Sequence, residues 1–261
     1  MRIVRQPAVA GMFYPAEKSE LARMVEDYIH VAEHGETTPK AIIAPHAGYV
    51  YSGPIAGTAY ARLAAARSAI SRVILLGPSH RVYVRGLAAP ESDVFAMPFG
   101  DVPVDRDAIE TIRNLPQVIL SEEAHEPEHG LEVHLPFLQT VLDAFSIVPL
   151  VVGDATPEEV AEVIEQLWGG PETLIVISSD LSHYYDYETA RRMDEATSKA
   201  VEALRPEEIG VEQACGRIPI QGLLLVARKK GLRAELLDLR SSGDTAGPRD
   251  QVVGYGAYAV G

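Results

Sequence analysis

Two histidines stand where an apolar run of strand type gives out: His46 after Ala41-Ile42-Ile43-Ala44-Pro45, and His80 after Val73-Ile74-Leu75-Leu76-Gly77-Pro78-Ser79. A third, His183, follows Leu174-Ile175-Val176-Ile177-Ser178-Ser179-Asp180-Leu181-Ser182, and Asp244 follows the run Ala234–Leu239 through Arg240-Ser241-Ser242-Gly243. In open α/β sheets the ligand crevice lies beyond the strand carboxyl ends, so these four residues, far apart in sequence, can converge there. Two neutral imidazoles and one carboxylate suit Fe(II), which they hold while leaving positions for substrate and dioxygen; zinc accepts the same set. Taken singly, each residue has a plainer explanation: a loop histidine bonded to a nearby carbonyl, or an aspartate in an Asx turn or helix cap. Their recurrence at three strand ends is what points to a shared site.

The other histidines carry weaker signals. Glu128-His129-Gly130-Leu131-Glu132-Val133-His134-Leu135-Pro136 lacks the i, i+4 histidine pair of a zinc-protease helix. His134 lies just before the expected helix Leu135–Ala144, with Pro136 in its first turn, and reads as a capping residue or a contact to the substrate or to a ligand. His30 and His34 belong to the first helix and its end, and His125, in the acidic loop Glu122–Glu128, is expected to face solvent. Phe13, Tyr14, Tyr49 and Tyr51 have the types and positions to wall a pocket beside His46. The single cysteine, Cys215, reads as a buried structural thiol. Neither a Gly-rich phosphate loop nor a Gly-x-Ser-x-Gly elbow is present.

The elements that must position these residues alternate. Strands are expected at Ala41–Ala44, Arg72–Leu76, Ser146–Val152, Leu174–Ile177, Ala234–Leu239 and Val252–Val260, several of them apolar throughout, as strands covered on both faces are. Between them lie amphipathic helices. One starts at Thr156-Pro157-Glu158-Glu159, with an N-cap, an N1 proline and a capping-box glutamate. Another places Leu21, Met24, Val25, Tyr28 and Ile29 on one stripe and stops near Gly35, and a third spans Tyr187 to Leu204. Val94–Val104, with three turn residues, reads as a hairpin or irregular edge. The pattern predicts an α/β fold, one domain over residues 1–261, with a central, largely parallel or mixed sheet flanked by helices. At 261 residues the chain can bury a full core, and 37 acidic against 23 basic side chains, net −14, argue against nucleic acid as the main ligand. One cysteine and no apolar leader or membrane-length run point to a cytoplasmic protein without a membrane partner.

The strings Ala-Gly-Met-Phe-Tyr-Pro, Pro-His-Ala-Gly-Tyr-Val-Tyr-Ser-Gly, Gly-Pro-Ser-His, Glu-His-Gly-Leu-Glu-Val-His-Leu-Pro-Phe-Leu, Ser-Ser-Asp-Leu-Ser-His-Tyr and Ala-Cys-Gly-Arg-Ile-Pro-Ile occur in order along the whole chain. Together they resemble the Memo family, whose prokaryotic members are also called AmmeMemoRadiSam system protein B and whose fold is similar to class III extradiol dioxygenases. The resemblance implies metal ligation by His46 and His80 and an acid/base position at His183. It places Phe13 where animal members carry a tryptophan beside the cleft. Animal members use a cysteine as third ligand, and Asp244 is matched to that position here. The expected cofactor is therefore Fe(II), with copper or zinc as alternatives, and the cleft is expected to include Phe13, Tyr14, Tyr51 and His134. Two readings follow: a dioxygenase-like redox enzyme acting on an unknown small molecule, or a module that receives a peptide or protein in the same cleft without turnover. A functional link to radical SAM and AMMECR-type proteins is also implied.

Overall fold

The computed structural model describes residues 2–32 and 37–261. The four innermost strands of its main sheet, in spatial order Ala41–Ala44, Thr173–Ser178, Arg72–Pro78 and Ser146–Val152, are mutually parallel, and nearly every side chain in them is buried. Continuous Ile/Val/Leu runs suit such strands, because helices cover both faces. Outward from Ala41–Ala44 the sheet turns antiparallel through Val252–Val260, which pairs with both His183–Tyr185 and Ala234–Ser241. On the other side Leu87–Ala89 runs antiparallel to Ser146–Val152, and Val118–Leu120 runs parallel to Leu87–Ala89. The sheet is thus mixed, with nine strands among the described residues.

The parallel core puts four carboxyl ends on one edge, so Pro45-His46, Ser179-Asp180, Ser79-His80 and Gly153-Asp154 leave the sheet side by side. The helices follow the amphipathic logic of the sequence. Pro157–Gln166 has its capping box between Thr156 and Glu159, and Lys18–His30 buries Leu21 and Val25. That helix ends at His30 with Val31 as its C-cap, whereas the expected stop at Gly35, with His34, lies outside the described residues. Two of the other helices are shorter than expected, Leu135–Val141 and Tyr187–Glu202. Val94–Phe95 and Val102–Pro103 do pair antiparallel, as a hairpin, in a small second sheet with Val4–Arg5. Among the described residues no helix is long and apolar enough to cross a membrane.

Two further helices matter for the site. Tyr49–Ala61 starts just after His46, and its glycines let it press against the first helix: a Cβ at Gly57 would lie 2.5 Å from the Tyr28 carbonyl oxygen. Arg217–Lys230 begins immediately after Cys215-Gly216.

Candidate metal centre

His46 leaves its strand into a fully buried position, where its backbone N–H donates to the Asp180 carboxylate at 2.8 Å. Its ring Nδ1 lies 2.6 Å from the Ser178 hydroxyl, so Nε2 is the nitrogen that faces Cys215 Sγ, 3.3 Å away. His80 is held from one side. Its backbone N–H donates to Glu128 Oε2 and its Nδ1 meets Glu128 Oε1, both at 2.8 Å. A carboxylate only accepts, so His80 carries its proton on Nδ1 and keeps the Nε2 lone pair free. The two rings stand edge to face with centroids 4.9 Å apart.

Cys215 reaches the pair from outside the sheet. Its N–H donates to the Asp180 carbonyl, and the next residue's N–H donates to Ser179 Oγ at 2.9 Å. Gly216 is required for this approach, since a Cβ there would stand 2.6 Å from the Ser178 carbonyl oxygen. Ligand atoms of His46, His80 and Cys215 all lie within 4.8 Å of one another. His80, Glu128 and His129 form a second such group, but the Glu128 oxygens already accept from His80 twice and from the Gly130 N–H at 2.8 Å. Burial opposes ionisation of Glu128, yet these contacts hold its carboxyl below the usual range, so it serves as the partner that orients His80.

Electrostatics prepare the first group for a cation. Burial, followed by the neighbouring His80, drives the His46 imidazole well below its ordinary pKa, leaving it neutral, as a ligand must be. Burial and the nearby Asp180 charge push the Cys215 thiol up to about 12, so an ion would have to displace its proton. Burial raises the Asp180 carboxyl itself to about 7, against the His46 and Ala47 backbone N–H groups that bond it. Two imidazoles and one thiol converging on a common point fit a transition metal with borderline or soft preference.

Asp244 is not part of this centre. It sits in the short helix Ser242–Thr245, where one oxygen accepts the Ser241 N–H at 2.9 Å and the other accepts the Tyr187 hydroxyl at 2.7 Å, and it belongs to neither ligand group. The residue does follow a strand end, but of Ala234–Ser241, which lies outside the parallel core and runs antiparallel to its neighbour. Cys215 stands with the two histidines where the carboxylate was expected. The strand-end criterion missed it because it precedes a helix; the usable signal was the sequence resemblance, which implied a cysteine ligand in other members, together with the single cysteine of this chain.

The remaining expected residues divide. Phe13 packs on the His129 ring at 4.8 Å, and His129, its Nδ1 buried without a hydrogen-bond partner, lies 4.6 Å from the His80 ring. Tyr51 is 40% exposed near the buried Tyr255. Tyr14 does not line the cleft: it is buried with its hydroxyl on Glu132 at 2.6 Å. His134 is fully buried between Tyr60 and Ser178 and caps nothing with its side chain. His183 is hydrogen-bonded through its ring to the Leu181 carbonyl, and burial keeps it neutral. His125, expected in solvent, is buried with Nε2 on the Ala88 carbonyl at 2.8 Å, because Glu122–His125 forms a capped helix against the sheet.

A cavity of about 270 Å³ has Cys215 in its wall, with Ser79, Tyr83, Val152, Asp154 and Ile218 among its other lining residues.

The family model described as "Memo-like protein" matches residues 5–259. A "MEMO1 family protein" of Aquifex aeolicus is 38% identical over an alignment covering 97% of both chains, and one of Archaeoglobus fulgidus is 38% identical with the same coverage. Among solved structures, an uncharacterized protein of Escherichia coli K12, JW3007, superposes with a TM-score of 0.51 at 13% identity, covering 84% of this chain and 99% of that one. That likeness is one of fold.

Proposed function

The chain belongs to the Memo family, and from that premise and the geometry above we propose that it holds one transition-metal ion on His46, His80 and Cys215 and acts with it on a small molecule. The observation that carries the proposal is the convergence of three ligand atoms from three separate segments, within 4.8 Å, each ring turned by a dedicated partner on its other nitrogen. A thiolate in place of a carboxylate widens the fit from iron to copper(I) and zinc. The ion would supply Lewis acidity and, as iron or copper, one-electron redox capacity. The cavity beside Cys215, lined by polar and apolar groups alike, has the size for a small substrate. His183, kept neutral by burial and near enough for its charge to be felt at His46, is the residue we assign to moving a proton on the substrate.

Anaerobic equilibrium titration with Fe(II), Cu(I) and Zn(II) tests the centre. One equivalent should bind, and Cys215→Ala or His80→Ala should weaken binding at least ~100-fold. A Cys215→Ala protein with the parent's affinity and stoichiometry would sink this ligand set. Oxygen uptake by the iron- or copper-loaded protein, screened across small chelating substrates, then reads the redox assignment, and its absence in every case removes it.

A further inference from the structure

Three buried residues form a chain behind His46 that leads away from the site: Tyr60 Oη to His134 Nδ1 at 2.8 Å, His134 Nε2 to Ser178 Oγ at 2.8 Å, and Ser178 Oγ to His46 Nδ1 at 2.6 Å. The Ser178 hydroxyl also meets the Gly130 carbonyl oxygen at 2.5 Å. A hydroxyl has one hydrogen and two lone pairs, and a carbonyl oxygen can only accept. The hydroxyl hydrogen therefore belongs to Gly130, because two oxygens at that distance without a proton between them repel. Both imidazole nitrogens must then be N–H donors to the two lone pairs of Ser178. His134, protonated on Nε2 and kept neutral by burial, is left with a bare Nδ1, which the Tyr60 O–H fills. Every proton in the chain is assigned, and none can move without orphaning a buried group.

We infer that Ser178, locked by His134 and Tyr60, is a positioning residue that fixes His46 as the Nδ1–H tautomer and so aims its Nε2 lone pair at Cys215 and His80. The two histidines are thus oriented by different means. His80 leans on the Glu128 carboxylate, whereas His46 is held by a neutral relay that sets direction without adding charge. The same relay ties the Gly130 carbonyl, and with it the segment that carries Glu128 and His129, to the back of His46.

The consequence for affinity rests on the metal reading above; the tautomer does not. Long-range ¹H–¹⁵N correlation of the histidine rings in the full-length, metal-free protein should find His46 protonated on Nδ1 alone and His134 on Nε2 alone. In Ser178→Ala the His46 ring should populate both tautomers, and Zn(II) affinity should fall roughly 10–100-fold. Tyr60→Phe, which removes only the last donor, should shift the His134 ring nitrogens and cost less affinity than Ser178→Ala. An Nε2–H tautomer of His46 in the parent protein would overturn the inference without any variant being needed. So would a folded Ser178→Ala protein with a pure Nδ1–H ring and unchanged Zn(II) affinity. Should the parent fail to bind Zn(II) while the tautomers behave as stated, the metal reading fails and the relay stands.

Discussion

The segment Glu128–His134 serves two polar clusters with opposite character. On one side Glu132, with no exposed surface, accepts from Arg5 Nη1, from the backbone N–H groups of Ala8 and Val9, and from the Tyr14 hydroxyl. Arg5 spends its other donors on the carbonyls of His125, Glu126 and Glu128. On the other side His46, His80 and Cys215 point acceptor or weakly donating atoms at one another, and the nearby His129 Nδ1 makes no hydrogen bond, with Glu128 Oε1 3.5 Å away. The first is buried throughout, whereas the second is buried only at His46, with Cys215 half-buried and His80 exposed. Completeness separates them further: where each donor meets an acceptor the polar groups hold the fold, and where lone pairs converge on a common point they suit an added cation.

The strongest way to break this comparison is to strike the complete cluster. Arg5→Met leaves Glu132 buried without its counterion and should cost about 3–5 kcal/mol in urea unfolding. Arg5→Met/Glu132→Leu should recover part of that loss, since no buried charge is then stranded. Loss of less than about 1 kcal/mol in the single variant would mean that the Ala8, Val9 and Tyr14 contacts suffice, and completeness would lose its structural meaning. His80→Ala, on the open side, should cost metal and leave the fold in place.

A second test uses acid. Burial lowers His125 to about 4, below the ~6.5 of an unfolded chain, while Arg5 lies close by. A group whose folded pKa is depressed binds its proton more readily when unfolded, so stability is fully present above pH ~6.5 and falls as pH drops towards 4. For this residue alone the loss approaches roughly 3 kcal/mol. Removing the titration, as in His125→Phe, should flatten the stability profile across that window even if stability at pH 8 declines. An unchanged slope would show that other groups carry the acid transition.

Much of the fold was legible because its strands announce themselves. Ala41–Ala44, Ser146–Val152 and Val252–Val260 appear at the expected boundaries, since an unbroken apolar run has few alternatives once both faces are covered. The three-residue strands at Leu87–Ala89 and Val118–Leu120 were not, because pairing of that length is decided by neighbours and not by composition. In the site, His46 and His80 lie together because parallel strands share a carboxyl edge, a rule that sequence alone can apply. Tyr14 and His125, and His134 in its reading as a cap, were misplaced for one reason: each is a polar residue buried by a partner from a distant segment, Glu132, the Ala88 carbonyl and Ser178 respectively, and no local pattern encodes that partner.

The smallest expected effect sharpens the comparison most. Asp244 has the residue type and strand-end position of a ligand, yet its surroundings have the completeness of the Arg5–Glu132 cluster: the Ser241 N–H and hydroxyl, the Tyr187 hydroxyl and Arg249 together use its oxygens. If completeness is the sound criterion, Asp244 is a cap that pins the turn between Ala234–Ser241 and Val252–Val260. Asp244→Asn keeps one acceptor for Ser241 and loses the charge that Arg249 and Tyr187 face, so it should cost about 1 kcal/mol or less of stability. Its affinity for Fe(II), Cu(I) and Zn(II) should equal the parent's within a factor of two. Tenfold weaker binding would place Asp244 in the centre after all, and would require the short helix Ser242–Thr245 to rearrange on loading, which amide exchange across residues 241–249 with and without metal would detect.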